Sequence, residues 1–90
     1  MTERTVVVRN RAGLHTRPAA MIVKLAAQFK SDIFLESDDH VRINAKSIIG
    51  VMTLAAAQGT TLKVIASGPD EEEAVHAISE IIESGFGEPI

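Results

Sequence analysis

Three stretches of this chain carry apolar residues at helical spacing, and four short β-branched runs alternate with them. Few architectures accommodate that alternation in ninety residues. Elements of this size bury their apolar faces only against one another, which points to a two-layer α+β domain. Thr5-Val6-Val7-Val8-Arg9 is the first strand. A helix follows from Thr16 to about Phe29, with Ala19, Ile22, Leu25, Ala26 and Phe29 on one face and Lys24 and Gln28 off it. Ile33-Phe34-Leu35-Glu36 and the alternating stretch from Val41 to Asn44 flank the turn Ser37-Asp38-Asp39, a hairpin pattern. A short helix starts near Ser47 as N-cap, with Gly50 weakening its regularity.

Thr60 to Ala66 is the fourth strand, and Gly68-Pro69-Asp70 introduces the last helix. Asp70 and Glu73 have capping-box spacing, and Ala74, Val75, Ile78, Ile81 and Ile82 form a buried stripe. Gly85 stops this helix and leaves Phe86 to Ile90 as a loosely held tail. The order is β-α-β-β-α-β-α, in a single domain over residues 1–90, with all helices on one sheet face. Strand order does not follow from the pattern.

Composition removes several function classes. A hydrophobic fraction of 46% supports a packed core, and the absence of cysteine removes disulfides and thiolate metal sites. A net charge of −3, with no Trp or Tyr, gives no footprint for nucleic acid. Met1-Thr2-Glu3-Arg4 runs directly into the valine stretch without the layout of a signal peptide. No apolar run approaches the roughly twenty residues that span a bilayer. The expectation is a cytoplasmic protein without membrane insertion.

Chemistry concentrates at Gly13-Leu14-His15-Thr16-Arg17-Pro18-Ala19-Ala20. Pro18 is suited to a first helical position, and the residue before it is pushed from helical angles, so Arg17 belongs to an entry turn. His15 then lies beside free backbone N–H groups at the positive end of the helix dipole, where an anion finds donors. Arg17 adds a guanidinium fork suited to phosphate, although a cation at a helix start opposes the dipole. His15, Arg17 and the helix start together suit a phosphoryl group.

His40 reads as a hairpin-turn residue and His76 as a solvated one, and the three histidines match no metal-ligand spacing. No metal or cofactor is expected. Ser47 is a second candidate. Ile48, Ile49 and Met52 follow it and cannot all be buried, so phosphorylation of Ser47 could switch a docking patch.

The Gly13–Ala20 stretch resembles the active-site signature of the histidine-containing phosphocarrier family, HPr, of the phosphoenolpyruvate-dependent sugar phosphotransferase system. Asn44-Ala45-Lys46-Ser47-Ile48-Ile49-Gly50-Val51-Met52 resembles that family's second signature. The resemblance implies an open-faced β-sandwich, with a four-stranded antiparallel sheet in the order 1-4-2-3 and three helices on one face. It also implies that His15 accepts a phosphoryl group on Nδ1 from enzyme I and passes it to EIIA domains. Arg17 and the backbone N–H groups of Thr16 and Arg17 would hold the phosphoryl oxygens. Thr16, Ala20, Lys24, Ala27, Ile48, Ile49 and Met52 would form the docking face.

In some members an HPr kinase/phosphorylase modifies the serine matching Ser47, and transcriptional regulators are further partners. A monomer is expected. Thr16 stands where alanine is common, and Ala55–Thr61 and Gly68–Glu71 resemble the nitrogen-related paralogue NPr, whereas Pro18 favours the sugar branch. A purely regulatory phosphocarrier is therefore one alternative. A small-molecule-binding or scaffolding α+β domain with a structural His15 is another.

Overall fold

A computed structural model describes residues 1–90. Its elements are β1 (Thr2–Val7), α1 (Thr16–Ala26), β2 (Asp32–Ser37), β3 (Arg42–Asn44), α2 (Ile48–Leu54), β4 (Thr61–Ser67) and α3 (Glu71–Glu83). A 3-10 turn at Gly85–Gly87 follows. The four strands form one antiparallel sheet in the order β1-β4-β2-β3. The architecture expected from the family resemblance is therefore present.

Register explains how the sheet carries its core. Val6 lies opposite Leu62, Leu35 opposite Val64, and Ile33 opposite Ala66. Side chains alternate along each strand, so these six project to one face, and all are buried. Ala19, Ile22 and Ala26 of α1, Val51 of α2, and Ala74, Val75, Ile78 and Ile82 of α3 close over that face. The opposite face is left open. There Arg42 sits with its guanidinium 5.8 Å from the centre of the Phe34 ring. No helix is long and apolar enough to cross a membrane.

Several boundaries differ from the sequence expectation for identifiable reasons. The first strand runs from Thr2 to Val7 rather than Thr5 to Arg9, because β4 offers partners from Thr61 to Ala66. α1 begins at Thr16, which puts Pro18 third in the helix, still among the positions whose N–H has no intrahelical acceptor. At its other end, the N–H groups of Gln28 and Phe29 donate to Leu25 and Ala26, a tighter turn than the α-helix. Leu25, Phe29 and Ile81 are only partly buried, and Ser79 takes a buried place on α3 that the apolar stripe did not include.

The capping box also fails. Asp70 is the N-cap of α3 but makes no side-chain cap hydrogen bond. Its carboxylate instead accepts from the Lys30 N–H at 2.9 Å, the Ser31 N–H at 2.9 Å and the Ser31 hydroxyl. These donors, the Ser31 hydroxyl foremost, hold its pKa down from 3.8 to about 2. Glu71 is held from 4.5 to about 2, first by the Thr2 hydroxyl and then by the terminal amine. Both carboxylates bind protons less readily when folded, so acid favours the unfolded chain. Their stabilisation is complete above about pH 4.5 and fades as the pH falls towards 2. Asp70→Asn should therefore flatten the fall in stability across that window, measured by circular dichroism at graded pH. An unchanged slope would remove Asp70 as the cause.

The C-terminus is not a loose tail. Gly85, Phe86 and Gly87 all have positive φ, at 72°, 59° and 73°, which turns the chain sharply back. Two glycines make that turn accessible at low cost, and Phe86 takes the same region because its ring is anchored in the core, only 2% exposed. The returning strand is then pinned by the Arg11 N–H, which donates to the Pro89 carbonyl at 2.9 Å.

Candidate functional site

The loop between β1 and α1 is shaped by Gly13. Its φ of +70° suits glycine, and a Cβ there would lie 2.5 Å from the Ala56 carbonyl oxygen. That close approach lets the Leu14 N–H donate to the same carbonyl at 2.8 Å and buries Leu14. The next residue, His15, has extended backbone angles (φ −82°, ψ −167°) and becomes the N-cap of α1.

The helix start leaves donors free. The His15 carbonyl accepts from Ala19, Pro18 has no N–H, and the N–H groups of Thr16 and Arg17 donate to nothing. Two unpaired amides therefore stand beside an exposed imidazole at the positive end of the helix dipole.

Glu88 reaches this point from the far end of the chain. His15 Nε2 lies 3.0 and 3.1 Å from the two Glu88 carboxylate oxygens. Arg17 Nη1 donates to Glu88 Oε2 at 2.8 Å and to the Phe86 carbonyl at 3.3 Å. The buried Asn10 Nδ2 donates to Glu88 Oε1 at 3.0 Å and to the Gly13 carbonyl at 2.8 Å. His15, then Arg17 and Asn10, hold the Glu88 carboxyl at about 2, well below its ordinary 4.5, against the opposing effect of burial. Glu88 also supplies the reason a cation is tolerated at this helix start. His15 Nδ1 makes no hydrogen bond.

Residues expected to dock a partner are all at the surface. Thr16, Ala20 and Lys24 are exposed along α1, and Ala27 is exposed at its C-cap. Ile48, Ile49 and Met52 are 41%, 77% and 39% exposed on α2, an unusual concentration of large apolar side chains. A shallow depression lined by Ala12, Leu14, His15, Met52, Ala55 and Ala56 joins the histidine to that patch. Ser47 caps α2 as expected, its Oγ accepting from the Gly50 N–H at 3.1 Å. His40 sits in the hairpin turn with φ 63°, and His76 is solvated, its ring 3.9 Å from Glu80.

Asn10, Phe86 and Glu88 are the residues that sequence reasoning missed. A phenylalanine between two glycines just beyond a helix is the one signal that could have revealed them, because such a ring is poorly suited to a solvated tail.

The family described as "PTS HPr component phosphorylation site" matches residues 2–84. The Phosphocarrier protein HPr of Treponema pallidum is 49% identical over 88 residues, covering 98% of this chain and 99% of that one. HPr-like protein Crh of Bacillus subtilis is 45% identical, covering 92% and 96%. A crystal structure of HPr from Thermoanaerobacter tengcongensis superposes with a TM-score of 0.94 at 48% identity over the whole of both chains. This chain belongs to the HPr family, the phosphocarriers of the phosphotransferase system. Another T. tengcongensis structure is described as an HPr dimer, with 49% identity, TM-score 0.77, and coverage of 98% and 100%. Family membership therefore does not carry the expected monomer with it.

Proposed function

We propose that His15 accepts a phosphoryl group on Nδ1 from phosphorylated enzyme I and donates it to EIIA domains serving sugar uptake in the cytoplasm. The observation that carries this is the exposed imidazole beside the unpaired Thr16 and Arg17 amides, with the Arg17 guanidinium adjacent. Those donors match the oxygens of a phosphoryl group, and an exposed position permits transfer between two proteins. The chain supplies a nucleophile and an anion cradle; its partners supply the rest of the catalysis. Partners approach over Thr16, Ala20, Lys24 and Ala27 together with Ile48, Ile49 and Met52.

Reconstitution tests this directly. With phosphoenolpyruvate, enzyme I and an EIIA domain, label should pass through this protein as an acid-labile adduct and reach EIIA. Failure of the wild-type protein to take label from any competent enzyme I would overturn the reading. Labelling without onward transfer to any sugar-specific EIIA would favour a regulatory, nitrogen-related carrier, a branch to which the relative named Phosphocarrier protein NPr belongs by name.

Ser47 is proposed as a regulatory phosphorylation site for an HPr kinase/phosphorylase, with transcriptional regulators reading the modified form. Ser47→Asp isolates the charge effect, since aspartate caps a helix about as well as serine and can still accept from Gly50. The new charge beside Ile48 and Ile49 should slow acceptance from enzyme I about tenfold while the melting temperature stays near wild type. Equal acceptance rates would remove the switch.

A further inference from the structure

The carboxylate of Glu88 is the most densely bonded side chain at the site, and transfer as described above gives it no task. Both its oxygens face His15 Nε2, one is shared with Asn10 and the other with Arg17. Its place is set on both sides. The Glu88 N–H donates to the Gly85 carbonyl at 2.9 Å, and the next carbonyl, of Pro89, accepts from Arg11. The buried Phe86 ring holds the turn from which it projects. A group so fixed selects one orientation and one protonation pattern in its neighbour.

We propose that Glu88 is a positioning residue for His15, holding the ring proton on Nε2 and leaving Nδ1 as a free electron pair. An ionised carboxylate only accepts hydrogen bonds, so a neutral ring facing it donates from Nε2. Nδ1, which has no partner, is then the unprotonated nitrogen. The step that follows rests on the acceptor role proposed for His15. The Nδ1 electron pair forms the new N–P bond, and the donor's bond to phosphorus breaks, its electron pair returning to the donor atom. No proton need leave Nδ1, because none is there.

The ring that results carries phosphorus on Nδ1 and a proton on Nε2, and is therefore cationic. Glu88 faces that charge, as a buried carboxylate steadies the imidazolium of a catalytic triad. Arg17 is the other charged group bonded to Glu88, and its fork can serve Glu88 and the phosphoryl oxygens together. The α2 side of the depression contributes Met52, Ala55, Ala56 and Ala57, none of which titrates.

Long-range proton–nitrogen correlation on the His15 ring of the unphosphorylated protein reads the tautomer. The wild type should show the proton on Nε2, and Glu88→Ala should move the tautomer ratio about three- to tenfold towards Nδ1–H. Glu88→Gln, which keeps an acceptor but no charge, should hold most of the tautomer preference. Acceptance from enzyme I should fall about tenfold in Glu88→Ala and less in Glu88→Gln. A tautomer ratio unmoved by Glu88→Ala, or faster acceptance by that variant, would overturn the proposal. A wild type that takes no label would instead contradict the acceptor role and leave the tautomer result intact, so the two failures are distinguishable.

Discussion

Replacing His15 with alanine is expected to leave a folded protein that acquires no phosphoryl group. The substitution removes the nucleophile itself, and nothing nearby can substitute for it. Arg17 stays protonated and cannot attack, and Glu88 is committed to its donors. The fold has little reason to respond. The His15 side chain is 43% exposed and makes no cap hydrogen bond to α1, so α1 loses nothing at its start. Intact-protein mass spectrometry after incubation with enzyme I and phosphoenolpyruvate should show the phosphoryl mass on wild type only. The melting temperatures should be similar. A phosphorylated His15→Ala protein would place the acceptor elsewhere.

The second large effect is structural and lies at the opposite end of the chain. Phe86→Ala should cost about 3 kcal/mol, the usual scale for removing a buried aromatic ring. For a domain whose whole stability is about 5–10 kcal/mol, that is a substantial fraction. The loss should not be confined to the core. Phe86 anchors the turn through Gly85 and Gly87 that delivers Glu88 to His15, and its own carbonyl accepts from Arg17. Denaturant titration should show the drop in stability, and the His15 ring should lose its tautomer preference in the same variant. A stability change below about 1 kcal/mol would mean that the ring is not the anchor described.

Much of the fold was legible because its elements obey local rules. The alternation from Val41 to Asn44, the helical spacing of Ala19, Ile22 and Ala26, and the serine before Ile48 each announce an element within a few residues. Strand order was not legible in this way, and came only through the family resemblance. β4 pairs with β1 and β2, and no local pattern records such a choice.

The departures have a common physical cause. Asp70 has the spacing of a local cap, yet three donors around Ser31 win its carboxylate once α3 docks. The glycines around Phe86 look like flexibility when read alone. They are the means by which a buried ring reverses the chain. Of the site, the His15–Arg17 segment was legible from helix-start chemistry. Glu88 was not, because it meets His15 across a separation of 73 residues.

The most direct test of the phosphoryl-seat assignment is phosphorus–nitrogen correlation spectroscopy on nitrogen-labelled protein after reaction with enzyme I and phosphoenolpyruvate. One phosphorus resonance coupled to His15 Nδ1 is the expected result. Phosphorus bonded to Nε2, or to any residue other than His15, would contradict it.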